Sequence, residues 1–507
     1  MRLILCLFVG LLACASLAAP AAAYVKLPDI FSDGMVLQRG AAVPVWGQAQ
    51  AGEKITASIA GHAAKATADA SGRFSLTLPA MPAGGPYCLK VTGRNEIVLN
   101  DVLIGDVWLC SGQSNMALNL AEAEGGTAAA AQARDKELRF FIVPESILKQ
   151  AADSRGARWR VCSPEAAAPF SAVGYFFGVE LRKKLTVPVG LIQATYGGTP
   201  LDAWMSRQVL NRYFNYSSEL AKWDRYAINY PKLKRQYAER LIDWRESSRL
   251  LKSFGLPAFA PPKPPPNLSM MGHASSLWDS MITGLLPLPI KGVIWNQGEA
   301  DVGLADRYRV LFPALVEDWR RQWSSKDLPF YFVQLHNWDG PKSKAGRSPI
   351  AELREAQQAT CVLPHTGMIV TVDLGGADHS IHYKRKEEVG KRLACAVLAC
   401  EYGLPCVWQG PVFDVLKIEG DKIRVHFKHT DGGLKTSDGK PPSGFAVAGD
   451  DCNFIDAAAA VDGEDVVLSS RITRPVHVRY AWQNDPQVNL TNGFGLPASP
   501  FRTDRQP

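Results

Sequence analysis

At 507 residues the chain is too long for one compact core, and 47% hydrophobic with 21% charged residues describes a globular protein, not a disordered or fibrous one. Its formal net charge of +7 is scattered among Asp and Glu instead of gathered into blocks, which argues against a nucleic-acid partner. Beyond the amino terminus no apolar run reaches the roughly eighteen residues a membrane span needs, so none is expected.

The first residues, "MRLILCLFVGLLACASLAAPAAAY", carry one positive charge at Arg2, an apolar stretch and then the small residues Ala21, Ala22 and Ala23. That is the pattern of a secretory signal cleaved before Tyr24, and it predicts a secreted or periplasmic protein. A lipid-modified Cys14 is the competing reading. Of the ten cysteines, Cys88, Cys110, Cys162, Cys361, Cys395, Cys400, Cys406 and Cys452 lie beyond this segment. An oxidising compartment permits disulfides among them, but spacing selects no pairing. Cys395, Cys400 and Cys406 lack the spacing of a structural zinc site, and Cys110 reads as a small buried hydrophobe.

From residue 24 to 104, short alternating segments such as "KITASIAG", "RFSLTLPA" and "YCLKVTG" are separated by Gly, Pro and Asp turns, the pattern of a small antiparallel sandwich. From 105 to 400, buried-strand candidates such as "DVWLC", "VPVGLIQAT", "IKGVIWNQ", "FYFVQLH" and "MIVTVDL" alternate with stretches of helical period. This predicts an α/β region with a parallel sheet covered by helices on both faces. An insertion at about 210–268 interrupts it with a charged helical pair, read as a solvated surface, and the extended segment "PAFAPPKPPPN". Residues 401–507 return to short strands.

In such a sheet, ligands gather beyond the carboxyl ends of the strands. At the first of these ends "DVWLC" runs into "SGQSNM". A serine at a sharp strand-to-helix turn is lifted clear of the sheet, which makes Ser114 a candidate nucleophile. Met116 stands where the second glycine of a G-x-S-x-G elbow belongs, so the motif is half complete. Ser111 is the rival, and helix capping by both hydroxyls is the alternative without chemistry.

At the next strand end, "YGGT" offers Gly197 and Gly198, whose bare backbone can approach a ligand and present an N–H group. "GVIWNQGEAD" then places Gln297 and Glu299 after a buried strand, the carboxamide as a candidate oxyanion donor and Glu299 as a candidate substrate contact. The last, "VTVDLGGADHSIHYK", gathers Asp373, Asp378, His379 and His382. A serine hydroxyl needs an imidazole to take its proton and an acid to fix the tautomer, and this loop contains both types.

These segments, with "LPDIFSDGMVLQRG", "LREAQQAT" and "VRYAWQNDPQVNLTNGFGLPASPFRTD", together resemble the sialate O-acetylesterase family, serine esterases of the SGNH hydrolase superfamily. The likeness runs from about Lys26 to Asp504. It implies a flavodoxin-like α/β hydrolase core flanked by β domains, acting on O-acetylated sugars without metal or other cofactor. It also implies Ser114 as nucleophile and His382 as general base, with Gly197 or Gly198 and Gln297 as oxyanion donors. The chain departs from the family pattern in having Asn296 where Tyr is common and Tyr383 where Pro is common. His379 occupies the position, three before the histidine, where the superfamily often places its acid. Asp378 is therefore the expected acid, with Asp373 in reserve and a Ser–His dyad as the third arrangement.

O-acetylated sialic acid is the substrate the resemblance implies. Acetylated xylan, or another polysaccharide, is the alternative within the same chemistry. A secreted carbohydrate-binding protein with a lapsed site is the alternative outside it. Asn215, Asn267 and Asn489 stand in N-x-S/T sequences, and nothing in the sequence sets the oligomeric state.

Overall fold

The computed structural model describes residues 24–145, 156–213, 216–265, 273–341 and 347–504. The expected signal segment, Cys14, Asn215 and Asn267 lie outside these residues.

One strand organises the molecule. Glu96–Gly112 begins with exposed residues and ends in an unbroken buried run. Its first half pairs antiparallel with Gly84–Thr92, and Val36–Gln38 lies parallel to Leu103–Gly105. Its second half enters a larger sheet, where it is flanked in parallel by Val189–Thr195 on one side and Gly292–Asn296 on the other. The sheet continues outward in parallel through Phe330–Val333 to Thr366–Ile369, and through Asp135–Ile142 on the other side. Arg160–Cys162 closes that edge antiparallel. A sheet buried on both faces needs strands apolar on both faces, which is why Val189–Thr195 and Phe330–Val333 are buried at every position.

The faces carry separate cores. Trp295, Phe312 and Trp319 pack on one side beneath the helix Ala305–Gln322. Trp108, Phe177 and Leu393 pack on the other beneath the helices Ala172–Lys184 and Lys386–Tyr402. A third cluster, with Val425, Phe445 and Tyr480, lies among small antiparallel sheets between Val412 and Arg502. A disulfide joins Cys395 to Cys406, tying the helix Lys386–Tyr402 to the segment that leaves it. Within the insertion, Tyr216–Ser253 forms one long helix in place of the expected pair. Pro231 sits inside it without ending it. Among the described residues no helix is long and apolar enough to cross a membrane.

Candidate active site

The end of the central strand is built for a sharp turn. Gly112 has φ +132, and a Cβ there would lie 2.1 Å from the Asn296 carbonyl oxygen, so no other residue fits without displacing the neighbouring strand. The amide of Gln113 donates to that same carbonyl at 3.0 Å. The chain then turns directly into the short helix Ser114–Ala117. Ser114 is its first residue, not its cap, and is partly exposed. Ser111 is wholly buried in the strand and, among the described residues, its hydroxyl has no partner, which separates the two serines by position.

His382 projects from the loop before the helix Lys386–Tyr402, and its Nε2 lies 3.0 Å from Ser114 Oγ. Its backbone N–H donates to Ser380 Oγ at 3.1 Å. Partial burial lowers its pKa below the ordinary imidazole value, and the positive charges of Lys386 and Lys384 lower it further. The expected acids are elsewhere. Asp378 accepts the Ser380 amide at 3.3 Å, and Asp373 is clamped by Arg392 at 2.8 and 2.7 Å. Among the described residues no carboxylate hydrogen-bonds to the His382 ring.

Gly197 and Gly198 are exposed beside this pair. A Cβ on Gly197 would stand 3.6 Å from that of Ser114, so the glycine turn flanks the hydroxyl closely. Gly198, at φ +70, takes the left-handed turn that favours glycine. Among the described residues the backbone N–H groups of Ser114 and Gly197 are spent on no acceptor.

Gln297 departs from the expected role. Its Nε2 donates to the Thr199 carbonyl at 3.0 Å and to Asp301 Oδ2 at 2.7 Å, and its Oε1 accepts from the Tyr308 hydroxyl at 3.2 Å. With both amide hydrogens committed, none is left for an oxyanion. The side chain instead anchors the glycine turn from behind. Asp301 also accepts the Leu201 amide at 2.9 Å, and burial pushes its carboxyl up to about 6. Glu299 is likewise drawn inward. One of its oxygens accepts from Asn115, the other is buried and has no partner among the described residues, and burial raises its pKa.

Several participants were not visible in the sequence. Asn115 and Lys386 are buried between the serine turn and the histidine loop, where Lys386 Nζ donates to Asn115 Oδ1 at 2.6 Å. The two departures from the family pattern meet each other, with the Tyr383 hydroxyl beside the Asn296 carboxamide and the Tyr383 ring packed on His336. The carboxyl-terminal segment braces the histidine loop. Asp485 pairs with His379 and accepts from Asn337 at 3.0 Å. Arg354, wholly buried, donates to the carbonyls of Leu335 and His336 at 2.8 and 2.6 Å, and to those of Gln483 and Asn484 at 2.8 and 2.9 Å. Asn489 is buried, and its Nδ2 is engaged by Asp438 and Pro441, an environment closed to a glycan.

Among the described residues no group of three or more His, Cys, Asp or Glu is arranged to hold a metal ion. A hydroxyl on a strand-to-helix turn, an imidazole in proton-transfer reach and uncommitted amides beside them suit nucleophilic acyl transfer.

Comparison with known proteins agrees with that chemistry. The family model described as carbohydrate esterase, sialic acid-specific acetylesterase, matches residues 104–231 and 270–399. The sialate O-acetylesterase of Homo sapiens is 26% identical, covering 94% of this chain and 92% of its own. That of Rattus norvegicus is 29% identical over 75% and 74%. The crystal structure of a carbohydrate acetylesterase from Xanthomonas citri superposes with a TM-score of 0.80 at 37% identity, covering 95% of this chain and all of that one.

Proposed function

Because the chain belongs to the sialic acid-specific acetylesterase family of carbohydrate esterases, we propose that it hydrolyses O-acetyl esters of sialic acids through an acyl-enzyme on Ser114. The observation that carries this reading is the 3.0 Å contact between Ser114 Oγ and His382 Nε2. His382 takes the hydroxyl proton as Ser114 attacks the acetyl carbonyl, forming the Oγ–C bond. The oxyanion is held by the N–H groups of Ser114 and Gly197. Collapse breaks the bond to the sugar oxygen, which takes the proton from His382 and leaves as the hydroxyl. Water, deprotonated by the same imidazole, then attacks the acetyl-serine and releases acetate. The ring is oriented by its loop, so the pair works as a dyad, and the proposed roles of Gln297 and Asp301 are to hold the glycine turn.

The parallel part of the sheet, with helices on both faces, supports reading residues 105–400 as an SGNH hydrolase core. Residues 24–104 and 401–507 are then accessory β units, and export by the leader 1–23 belongs to the same reading. A second substrate reading, an O-acetylated carbohydrate other than sialic acid, of which acetylated xylan is one case, is favoured by one observation. The relative that is 37% identical is named for carbohydrate acetyl esters in general, while those named for sialate are 26–29% identical.

Acetate release from O-acetylated sialic acids and from acetylated xylan, by the parent and by Ser114→Ala, tests both readings. Release from sialic acids that is lost with Ser114 is the expected result. Release confined to xylan replaces the substrate, and a Ser114→Ala variant as active as the parent removes the mechanism.

A further inference from the structure

Among the described residues the imidazole has no carboxylate partner, yet it is held in register with a hydroxyl 268 positions away in sequence. The contacts of Asn115 account for this. The side chain, wholly buried, belongs to the residue that follows the nucleophile. Its Nδ2 donates to the carbonyl of Ile381, the residue before His382, at 2.9 Å, and with its second hydrogen to Glu299 Oε1. Its Oδ1 accepts from Lys386 Nζ at 2.6 Å. The backbone neighbours of Ser114 and His382 are thus joined by a single carboxamide whose flip is fixed at both ends, by a donor that only its oxygen can serve and by acceptors that only its nitrogen can serve.

Lys386 is an improbable residue for this place unless it has work to do. It is wholly buried at the first position of the helix Lys386–Tyr402. Besides Asn115, its ammonium group faces the ring of Tyr383, 3.4 Å from the centroid, and it interacts electrostatically with Glu299, Lys384, His382 and His336. Burial drives its pKa well below the ordinary lysine value and drives that of Glu299 up. A buried charged pair commonly contributes less to stability than apolar residues of the same volume. Neither group hydrogen-bonds to Ser114 or to the His382 ring.

We propose that Asn115, locked by Lys386 and Glu299, is the positioning residue that holds His382 against Ser114, doing by a backbone clip what a third catalytic carboxylate does by holding the ring. The proposal rests on the esterase reading. Lys386 and Glu299 act through Asn115 and take no part in bond making.

The test compares the full-length parent, Ser114→Ala, Asn115→Ala and Lys386→Met on p-nitrophenyl acetate, with melting temperature and the pH dependence of kcat/KM. Methionine keeps the buried stem of Lys386 and removes its charge. The expected result for Lys386→Met is a kcat at least about tenfold lower, a KM within about twofold, and an undiminished melting temperature. The acid limb of its kcat/KM profile moves to higher pH, because a positive neighbour of His382 is gone. Asn115→Ala lowers kcat in the same way. If Ser114→Ala is inactive while both other variants keep the parent kcat, the clip is overturned and the esterase reading stands. A loss of activity that only follows a fall in melting temperature, with the acid limb unmoved, also overturns it. A Ser114→Ala variant as fast as the parent overturns the esterase reading, and the clip with it.

Discussion

His382 Nε2 stands 3.0 Å from Ser114 Oγ while the ring touches no carboxylate among the described residues. The imidazole accepts the serine proton only when neutral, and partial burial together with Lys386 and Lys384 lowers its pKa. The base form therefore persists below the ordinary imidazole value of about 6.5. The acid limb of kcat/KM against pH has its midpoint below that value in the free enzyme. A midpoint above it would mean that a carboxylate stabilises the imidazolium.

Asp378 provides a sharp contrast. A triad aspartate that holds the histidine ring is worth about four orders of magnitude in kcat. Here the Asp378 carboxylate accepts the Ser380 amide at 3.3 Å and is exposed, so its removal leaves the dyad in place. Asp378→Ala lowers kcat by about threefold or less, in line with loss of one exposed loop contact. Steady-state kinetics on p-nitrophenyl acetate check this, and a drop of a hundredfold or more would restore the acid to the ring.

What was legible in the sequence is what depends on short-range pattern. The serine turn could be read because Gly112 and Ser114 are two residues apart at the end of an apolar run. The loop that carries His379 and His382 could be read because two acids and two histidines gather at a strand end, while the choice of His382 came from the resemblance to the family. The parallel sheet announced itself through strands apolar on both faces. The orientation of side chains across long separations did not. Asn115 reaches Glu299 across 184 positions and Lys386 across 271, and no local period reports such a meeting. Gln297 shows why residue type alone misleads. It lies one residue beyond the strand Gly292–Asn296, and whether its amide faces the ligand or the core depends on the turn at Gly298, which composition does not fix. The boundary drawn at residue 104 has a similar cause. The change in burial along Glu96–Gly112 is real, but hydrogen bonding carries one strand through it.

The support behind the glycine turn yields the last prediction. Asp301 accepts both the Leu201 amide and Gln297 Nε2, and Gln297 in turn holds the Thr199 carbonyl next to Gly198. Burial raises the Asp301 pKa from 3.8 to about 6. The folded state thus binds this proton more tightly than the unfolded chain. Its contribution to stability is fully present below the unfolded value of 3.8 and is lost as pH rises through about 6. About two pKa units correspond to roughly 3 kcal/mol, an order-of-magnitude figure for one buried carboxyl. Asp301→Asn cannot ionise, so its unfolding free energy, from denaturant titrations between pH 4 and 7, lacks this decline. The Leu201 amide and Gln297 Nε2 both donate to the same oxygen, Oδ2, so a second variant, Asp301→Ala, removes that shared acceptor and loosens the turn that carries Gly197. At pH 7 kcat falls by about tenfold or more, because an amide displaced from the developing oxyanion stabilises it less. An unchanged pH dependence of stability, or an unchanged kcat, would separate Asp301 from the glycine turn.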